Sequence, residues 1–175
     1  IDKTDLMWEM TRMKYVFLSR PRRFGKSLLT TTLDAYFKGQ KELFEGLKIM
    51  DLETEWEQHP VIHIDVSEGK NQPTSEALQE TLLYLMKPSA EKYGKDEDEK
   101  TPGKLLRGLI RRAYEQTGKQ VVVIIDEYDA PLLEVLHEEE RLPEYRRVMQ
   151  ELYQPLKANE AMIRFCFITG ITKFS

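Results

Sequence analysis

Five consecutive β-branched residues occupy positions 121–125, and this run constrains the fold more than any other feature of the sequence. No polar residue interrupts it, which predicts a central strand buried on both faces, as in a parallel sheet. Two carboxylates, Asp126 and Glu127, follow the run directly. The segment therefore predicts an α/β fold whose central strand ends in acidic groups, at the edge where open α/β sheets bind ligands.

Three further apolar runs predict strands at residues 15–18, 61–64 and 165–168. Between the strands, helical patterns cover residues 28–37, 75–93, 104–116 and 130–157, and Leu142-Pro143 is predicted to divide the last pattern into two helices. The polar run at residues 94–103 is predicted to be a solvated loop. Strands and helices thus alternate, which predicts a doubly wound sheet because parallel neighbours need helical crossovers.

Length and charge narrow the class of protein. The chain has 175 residues, 41% of them hydrophobic, which suits one domain over residues 1–175. A net charge of -4 disfavours direct nucleic-acid binding, although Arg111-Arg112 and Arg146-Arg147 leave local phosphate contacts open. No run approaches the ~20 apolar residues of a membrane span, and no leader pattern is visible, so we expect a cytoplasmic protein. The lone Cys166 lies in an apolar run and is predicted to be a buried hydrophobic residue.

A candidate phosphate loop follows the first predicted strand. Residues 19–27 read Ser-Arg-Pro-Arg-Arg-Phe-Gly-Lys-Ser, and a helical pattern begins at once. This strand, loop and helix match the second half of the Walker A pattern, in which backbone amides and a lysine bind phosphates and a Ser/Thr hydroxyl binds magnesium. We assign phosphate binding to Arg20, Arg22, Arg23, Phe24, Gly25, Lys26, Ser27 and Leu28, and metal binding to Ser27.

The first glycine of that pattern is missing, because Arg20 stands in its place. A non-glycine residue in an unusual backbone conformation costs on the order of 1–3 kcal/mol, and Pro21 holds Arg20 extended. The loop is therefore predicted to follow a modified path. Contacts of phosphate with a lysine, several amides and Mg²⁺ exceed that cost, and three arginines add positive charge beside the anion.

The acidic strand end matches the Walker B pattern. Asp126 is predicted to hold magnesium, and Glu127 to orient or deprotonate the attacking water. Thr169, at the end of the fourth strand, is predicted to sense the γ-phosphate or that water. Asp129 precedes Pro131 and is predicted to cap the next helix. We therefore assign catalysis to Lys26, Glu127 and Thr169, whereas the three histidines lack metal-ligand spacing and no zinc site is predicted.

Four segments resemble the AAA-ATPase-like domain family of bacterial and archaeal proteins. They are residues 1–4 (Ile-Asp-Lys-Thr), 19–28, 123–129 (Val-Ile-Ile-Asp-Glu-Tyr-Asp) and 167–175. The resemblance implies a P-loop NTPase three-layer sandwich whose Walker A loop is rich in arginine. It also implies a fifth strand, a lid with a sensing arginine and often a restriction-like nuclease module. We expect these parts to lie beyond this chain, which would then be incomplete after its fourth core strand.

ATP and Mg²⁺ are the expected ligands. The Asp-Glu pair and the resemblance favour ATP, and no guanine-reading Asn-Lys-x-Asp occurs. The leading hypothesis is ATP hydrolysis coupled to conformational control of an attached or partner nuclease module, with homo-oligomer formation left open. Two alternatives remain, a nucleotide-binding switch with little or no turnover and a small-molecule P-loop kinase.

Overall fold

A computed structural model describes residues 1–19 and 26–171, and for Lys26 and Ser27 it describes the helical backbone alone. In chain order the elements are α1 (Thr4–Met10), β1 (Tyr15–Ser19), α2 (Lys26–Phe37), β2 (Val61–Asp65), α3 (Ser75–Leu85), α4 (Lys87–Tyr93), α5 (Pro102–Thr117), β3 (Val121–Asp126), α6 (Ala130–Leu133), α7 (Arg141–Ala158) and β4 (Ile163–Gly170). Every predicted apolar run lies inside one of the four strands. Over the described ranges, no helix is both long and apolar enough to cross a membrane.

The four strands form one parallel sheet in the order β1-β4-β3-β2. The last strand in sequence, β4, therefore lies between β1 and β3 and pairs with both. Ser19 is in register with Gly170, and Ile125 is in register with Ile168. Because all the strands are parallel, their carboxyl ends meet at one edge of the sheet. This confirms the predicted α/β fold with a parallel sheet.

Helices cover both faces of β3, as the unbroken apolar run predicts. Val121, Val123 and Ile125 pack into a core shared with α3, α5 and α7, whereas Val122 and Ile124 pack on the opposite face with α2. All five side chains are fully buried. Burying an aliphatic side chain stabilises the fold by about 1.5–3 kcal/mol, so both faces of this strand favour apolar residues.

Helix α2 runs back along the sheet from the carboxyl edge to the amino edge. At its end, the Phe37 ring lies 5.2 Å from that of Phe165, near the start of β4. The Phe37 carbonyl accepts a 2.7 Å hydrogen bond from the amide of His59, just before β2. A helix of 12 residues spans about 18 Å. The first turn of α2, at Lys26 and Ser27, therefore lies at the carboxyl edge, where the chain leaves β1.

The prediction of one helix over residues 75–93 is wrong, because two helices fill this segment. The Thr74 hydroxyl caps α3 by accepting a 3.1 Å hydrogen bond from the amide of Ala77. α3 ends at Leu85, and Pro88 lies in the first turn of α4. Proline lacks an amide hydrogen and its ring clashes with the carbonyl four residues earlier, so it starts a helix better than it continues one.

The predicted division of residues 130–157 at Leu142-Pro143 is also wrong in position. The first helix, α6, ends at Leu133, and α7 begins at Arg141, so Pro143 lies in the first turn of α7. In a first turn the amide has no intrahelical partner, and proline costs little there. The break therefore falls at residues 134–140, before the proline.

The polar run at residues 94–103 is only partly the solvated loop that was predicted. Its last two residues start α5, and Glu99 is 6% exposed. Glu99 accepts hydrogen bonds of 2.7 and 2.8 Å from the guanidinium of Arg112. A carboxylate can be buried when an arginine pairs with both of its oxygens. This pairing also occupies one of the two arginines at positions 111–112 for which phosphate contacts were considered.

Candidate functional site

Asp126 ends β3 at the carboxyl edge of the sheet and is 3% exposed. Side chains alternate along a strand, so Asp126 faces the same side as Val122 and Ile124, which pack with α2. On β4 the same alternation places Thr169 on the face of Phe167. The two polar side chains thus lie on the α2 face, at the edge where α2 begins.

The hydroxyl of Thr169 connects the two acidic residues of the predicted Walker B segment. It lies 3.3 Å from Oδ1 of Asp126, to which it donates, and it accepts a 3.0 Å hydrogen bond from the amide of Glu127. Thr169 is 1% exposed. A threonine hydroxyl has one donor and two acceptor positions, so one acceptor position remains for a further contact. Its predicted role as a sensor stays a prediction.

Glu127 has a left-handed backbone with φ of 51°, which is unusual for a residue that is not glycine. Two hydrogen bonds hold the turn around it, one from the Glu127 amide to Thr169 and one of 2.9 Å from the Tyr128 amide to the Thr169 carbonyl. Such a conformation costs on the order of 1–3 kcal/mol and persists when neighbouring contacts enforce it. The turn leaves Glu127 half-buried at the carboxyl edge.

Asp129 occupies the N-cap position of α6, but its side chain makes no capping hydrogen bond there, contrary to the prediction. Its carboxylate instead accepts a 3.1 Å hydrogen bond from the amide of Ile171, just after β4. Asp129 is fully buried. The side chain therefore joins the acidic turn to the end of the neighbouring strand, because that strand offers an amide within reach.

The predicted phosphate loop lies mostly outside the described residues. This applies to Arg20, Arg22, Arg23, Phe24 and Gly25. Of the other predicted phosphate contacts, Lys26 and Ser27 form the start of α2, and Leu28 follows them with an exposed side chain. The order of strand, connecting segment and helix agrees with the prediction, whereas the roles of the individual side chains stay predictions.

Sequence reasoning missed one residue of this site, His63. Its Nε2 lies 2.6 Å from Oδ2 of Asp126, the oxygen that Thr169 does not contact. Ile62 and Ile64 are buried on one face of β2, which leaves His63 on the other. This alternation was visible in the sequence, but the pairing of β2 with β3 was not. The carboxylate of Asp65, at the end of the same strand, accepts hydrogen bonds from the amide and hydroxyl of Ser67.

Asp126 fits the requirements of a magnesium ligand. Mg²⁺ prefers oxygen ligands and commonly takes one or two carboxylates, together with phosphate oxygens and water. An ionised carboxylate has about four acceptor positions, and the contacts from Thr169 and His63 occupy two of them. The remaining positions of Asp126 would hold the ion, together with the predicted hydroxyl ligand of Ser27.

A second polar feature lies at the opposite, amino edge of the sheet. A cavity of about 160 Å³ is lined there by Arg12, Tyr36, Glu53 and Arg164, among others. The Tyr36 hydroxyl donates to Glu53, and burial, together with this bond, raises the pKa of Tyr36 to about 12. Because Arg12 precedes β1 and Arg164 lies near the start of β4, this cavity is separate from the acidic site.

The fold and the acidic edge place the chain in a broad class, the P-loop NTPase-like α/β sandwiches. Within that class the chain belongs to a family described as predicted AAA-ATPases, whose family model matches residues 1–175. Membership of this family indicates a nucleotide-binding domain. It also agrees with the resemblance that the four sequence segments indicated.

One curated relative matches the full chain. It is called "Uncharacterized protein in vnfD 5'region", comes from Azotobacter chroococcum mcd 1, and is 34% identical over 176 aligned residues. The alignment covers all of this chain and 34% of the relative, so the chain spans about a third of that protein's length. No solved structure matches the chain.

Proposed function

We propose that this domain binds ATP with Mg²⁺ and, within the full-length protein, hydrolyses the terminal phosphoanhydride bond. One observation carries the proposal: the buried carboxylate of Asp126 and the first turn of α2 lie at the same edge and on the same face of the sheet. A helix amino terminus attracts phosphate through its unpaired amides and its dipole, and a neighbouring carboxylate suits a divalent cation.

Each side chain takes one role in this proposal. Lys26 and the arginine-rich loop bind the β- and γ-phosphates, and Ser27 and Asp126 hold Mg²⁺, which when bound offsets the negative charge of the phosphates. Glu127 orients a water molecule and takes its proton as the water oxygen attacks the γ-phosphorus. The bond from that phosphorus to the bridging oxygen breaks, and ADP and phosphate are the products. The Thr169 hydroxyl restrains this acidic segment, because it donates to the Asp126 carboxylate and accepts from the Glu127 backbone amide.

The turn around Glu127 also supports a coupling of nucleotide state to the rest of the protein. The hydroxyl of Tyr153, on α7, donates a 3.0 Å hydrogen bond to the carbonyl of Tyr128. A change at Glu127 would therefore reach α7 through one residue. We propose that this movement controls an attached or partner module, and that an oligomer supplies a further arginine to the site.

Calorimetry on the full-length protein tests nucleotide binding. We expect Lys26→Ala to weaken ATP binding in the presence of Mg²⁺ by at least ~10-fold, because a charge-assisted contact to phosphate contributes about 1.5–3 kcal/mol. Lys41→Ala is the matched control, since Lys41 is exposed and lies on a short turn after α2. Equal affinities for wild type and Lys26→Ala would contradict the proposal.

Phosphate release tests turnover. We expect Glu127→Gln to slow release by about 10²–10⁴-fold while ATP still binds, because glutamine keeps the shape and lacks the base. Glu134→Gln, an exposed glutamate at the end of α6, serves as the control. Equal release by Glu127→Gln and wild type would favour a switch without catalysis. Transfer of labelled phosphate to a nucleoside or metabolite faster than to water would favour a kinase.

A further inference from the structure

We propose that His63 is a positioning residue for Asp126, and that it holds this carboxylate in the orientation that binds the divalent cation. The inference rests on the proposed function and extends the site by one strand. It assigns a role to β2, which contributes no residue to the predicted Walker A or Walker B segments.

The contact follows from the register of the sheet. β2 and β3 are parallel, with Asp65 opposite Asp126 and His63 opposite Ile124. His63 and Asp126 lie on the same face, two positions apart along the strands. An imidazole is long enough to span that diagonal, and Nε2 of His63 lies 2.6 Å from Oδ2 of Asp126.

The chemistry of the two groups assigns the donor. An ionised carboxylate only accepts hydrogen bonds, so Nε2 of His63 carries the hydrogen and donates it to Asp126. A hydrogen bond of this kind to a charged acceptor is shorter and stronger than one between neutral groups. The tautomer is thus inferred from the partner.

Asp126 is consequently held from two neighbouring strands at once. Thr169 of β4 donates to Oδ1, and His63 of β2 donates to Oδ2. Rotation of the carboxylate would break both hydrogen bonds. The acceptor positions that remain on its two oxygens therefore point in one fixed direction. If Thr169 were the carboxylate's only donor and His63 were absent, Oδ2 would lack the restraint that His63 supplies from β2.

Burial does not account for the presence of His63. Its side chain is 30% exposed, whereas that of Asp126 is 4% exposed. A histidine that served only the core would be enclosed by it, but His63 sits at the margin with its Nε2 on the acid. Partners that orient metal-binding side chains in this way typically contribute 10–100-fold to metal affinity.

The test compares ATP affinity with and without Mg²⁺ for the full-length wild type and three variants, by calorimetry. His63→Leu removes the donor, and His63→Gln keeps an N–H donor near the position of Nε2. His137→Leu is the control, because His137 is exposed after α6. Thermal unfolding and circular dichroism establish that each variant is folded.

The deciding quantity is the ATP affinity with Mg²⁺ divided by the ATP affinity without it, which we call the magnesium gain. We expect His63→Leu to lower the magnesium gain by ~10-fold or more, in line with the usual effect of such partners, while metal-free affinity changes less than about two-fold. His63→Gln should recover most of the gain, and His137→Leu should match the wild type. A purely structural role of His63 would lower both affinities together and would not be rescued by glutamine.

Three results would overturn the inference. They are an unchanged magnesium gain in His63→Leu, an equal loss with and without Mg²⁺, and a wild type that shows no magnesium gain at all. Failure of the proposed hydrolysis looks different. In that case magnesium-dependent ATP binding is present and sensitive to His63→Leu, but no phosphate is released.

Discussion

The amide of Glu127 donates a 3.0 Å hydrogen bond to the hydroxyl of Thr169, which lies 42 positions further along the chain. This bond joins the ends of β3 and β4 and holds Glu127 in its left-handed conformation, with φ of 51°. The same hydroxyl donates to Asp126. The geometry of both acidic residues therefore depends on β4, the strand inserted between β1 and β3.

Replacement of Thr169 by valine tests this dependence. Thr169→Val keeps the shape but removes the acceptor of the partly buried Glu127 amide, so we expect the free energy of unfolding to fall by about 1–3 kcal/mol. Urea denaturation measures the change. Thr169→Ser retains the hydroxyl and should lose less than the valine variant. Equal stability of wild type and Thr169→Val would show that this bond does not hold the turn.

Gly170 has no room for a side chain. A Cβ there would lie 2.5 Å from the ring of Tyr128 and 3.0 Å from the carboxylate of Asp129. Such overpacking typically costs 1–3 kcal/mol, so we expect Gly170→Ala to destabilise the fold by about that amount. A double-mutant cycle with Tyr128→Ala provides the control, because the penalty should shrink once the ring is removed. The same penalty in both backgrounds would contradict the steric explanation.

The buried ion pair of Glu99 and Arg112 predicts that the stability of the fold depends on pH in the acidic range. Burial raises the pKa of Glu99, but the hydrogen bonds from Arg112 and the Asp96 amide outweigh it, so the pKa lies below the ordinary 4.5. Between the two pKa values the unfolded chain binds more protons than the folded chain. The contribution of Glu99 to stability is therefore complete above about pH 4.5 and is lost as the pH falls through the folded pKa.

We expect Glu99→Gln to lower the free energy of unfolding by about 1–3 kcal/mol at pH 7, since Arg112 loses its charged partner. The difference from wild type should shrink below pH 4.5. Urea denaturation at several pH values between 7 and 3 measures it. The control is Glu115→Gln, an exposed residue 3.9 Å from Arg111, which should change stability by less than about 0.5 kcal/mol. A difference that stays constant with pH would contradict the assignment.

Cys166 should be chemically inert in the folded domain. It is 1% exposed, which confirms the burial that the sequence predicted. This burial raises the pKa of its thiol to about 12. Thiolate is the reactive form, so we expect iodoacetamide at pH 8 to label Cys166 in urea but not in the native protein. Mass spectrometry of the peptide that contains it measures the labelling. Equal rates with and without urea would mean that this part of β4 opens readily.

The strands could be predicted well because their signals are local. The run at residues 121–125 predicted a strand covered on both faces, and the structure confirms this for β3. The ends of the helices were harder to predict from the sequence. Pro88 and Pro143 both lie in the first turn of a helix, whereas the sequence patterns predicted one helix running through the first and a break at the second. Proline marks a helix boundary but does not by itself say on which side of it the helix lies.

The residues of the candidate site likewise fall into two groups, those that local sequence signals predicted and those that they did not. Asp126, Glu127 and Thr169 were found from their positions after apolar runs, which indicate strand ends. His63 gave no such signal, because it lies within a strand and its contact depends on which strand pairs with β2. The buried Glu99 was missed for a similar reason: its partner Arg112 lies on a helix that follows the loop, and composition alone predicted exposure.

The sequence by itself determined the positions of the four strands and the chemical groups that follow them, since hydrophobic periodicity and turn residues act over a few neighbouring positions. Only the tertiary structure decided that β4 separates β1 from β3, and that Thr169 and His63 both reach Asp126. These contacts depend on strand order and register. Both arise from the packing of the whole sheet against its helices, and no single segment encodes them.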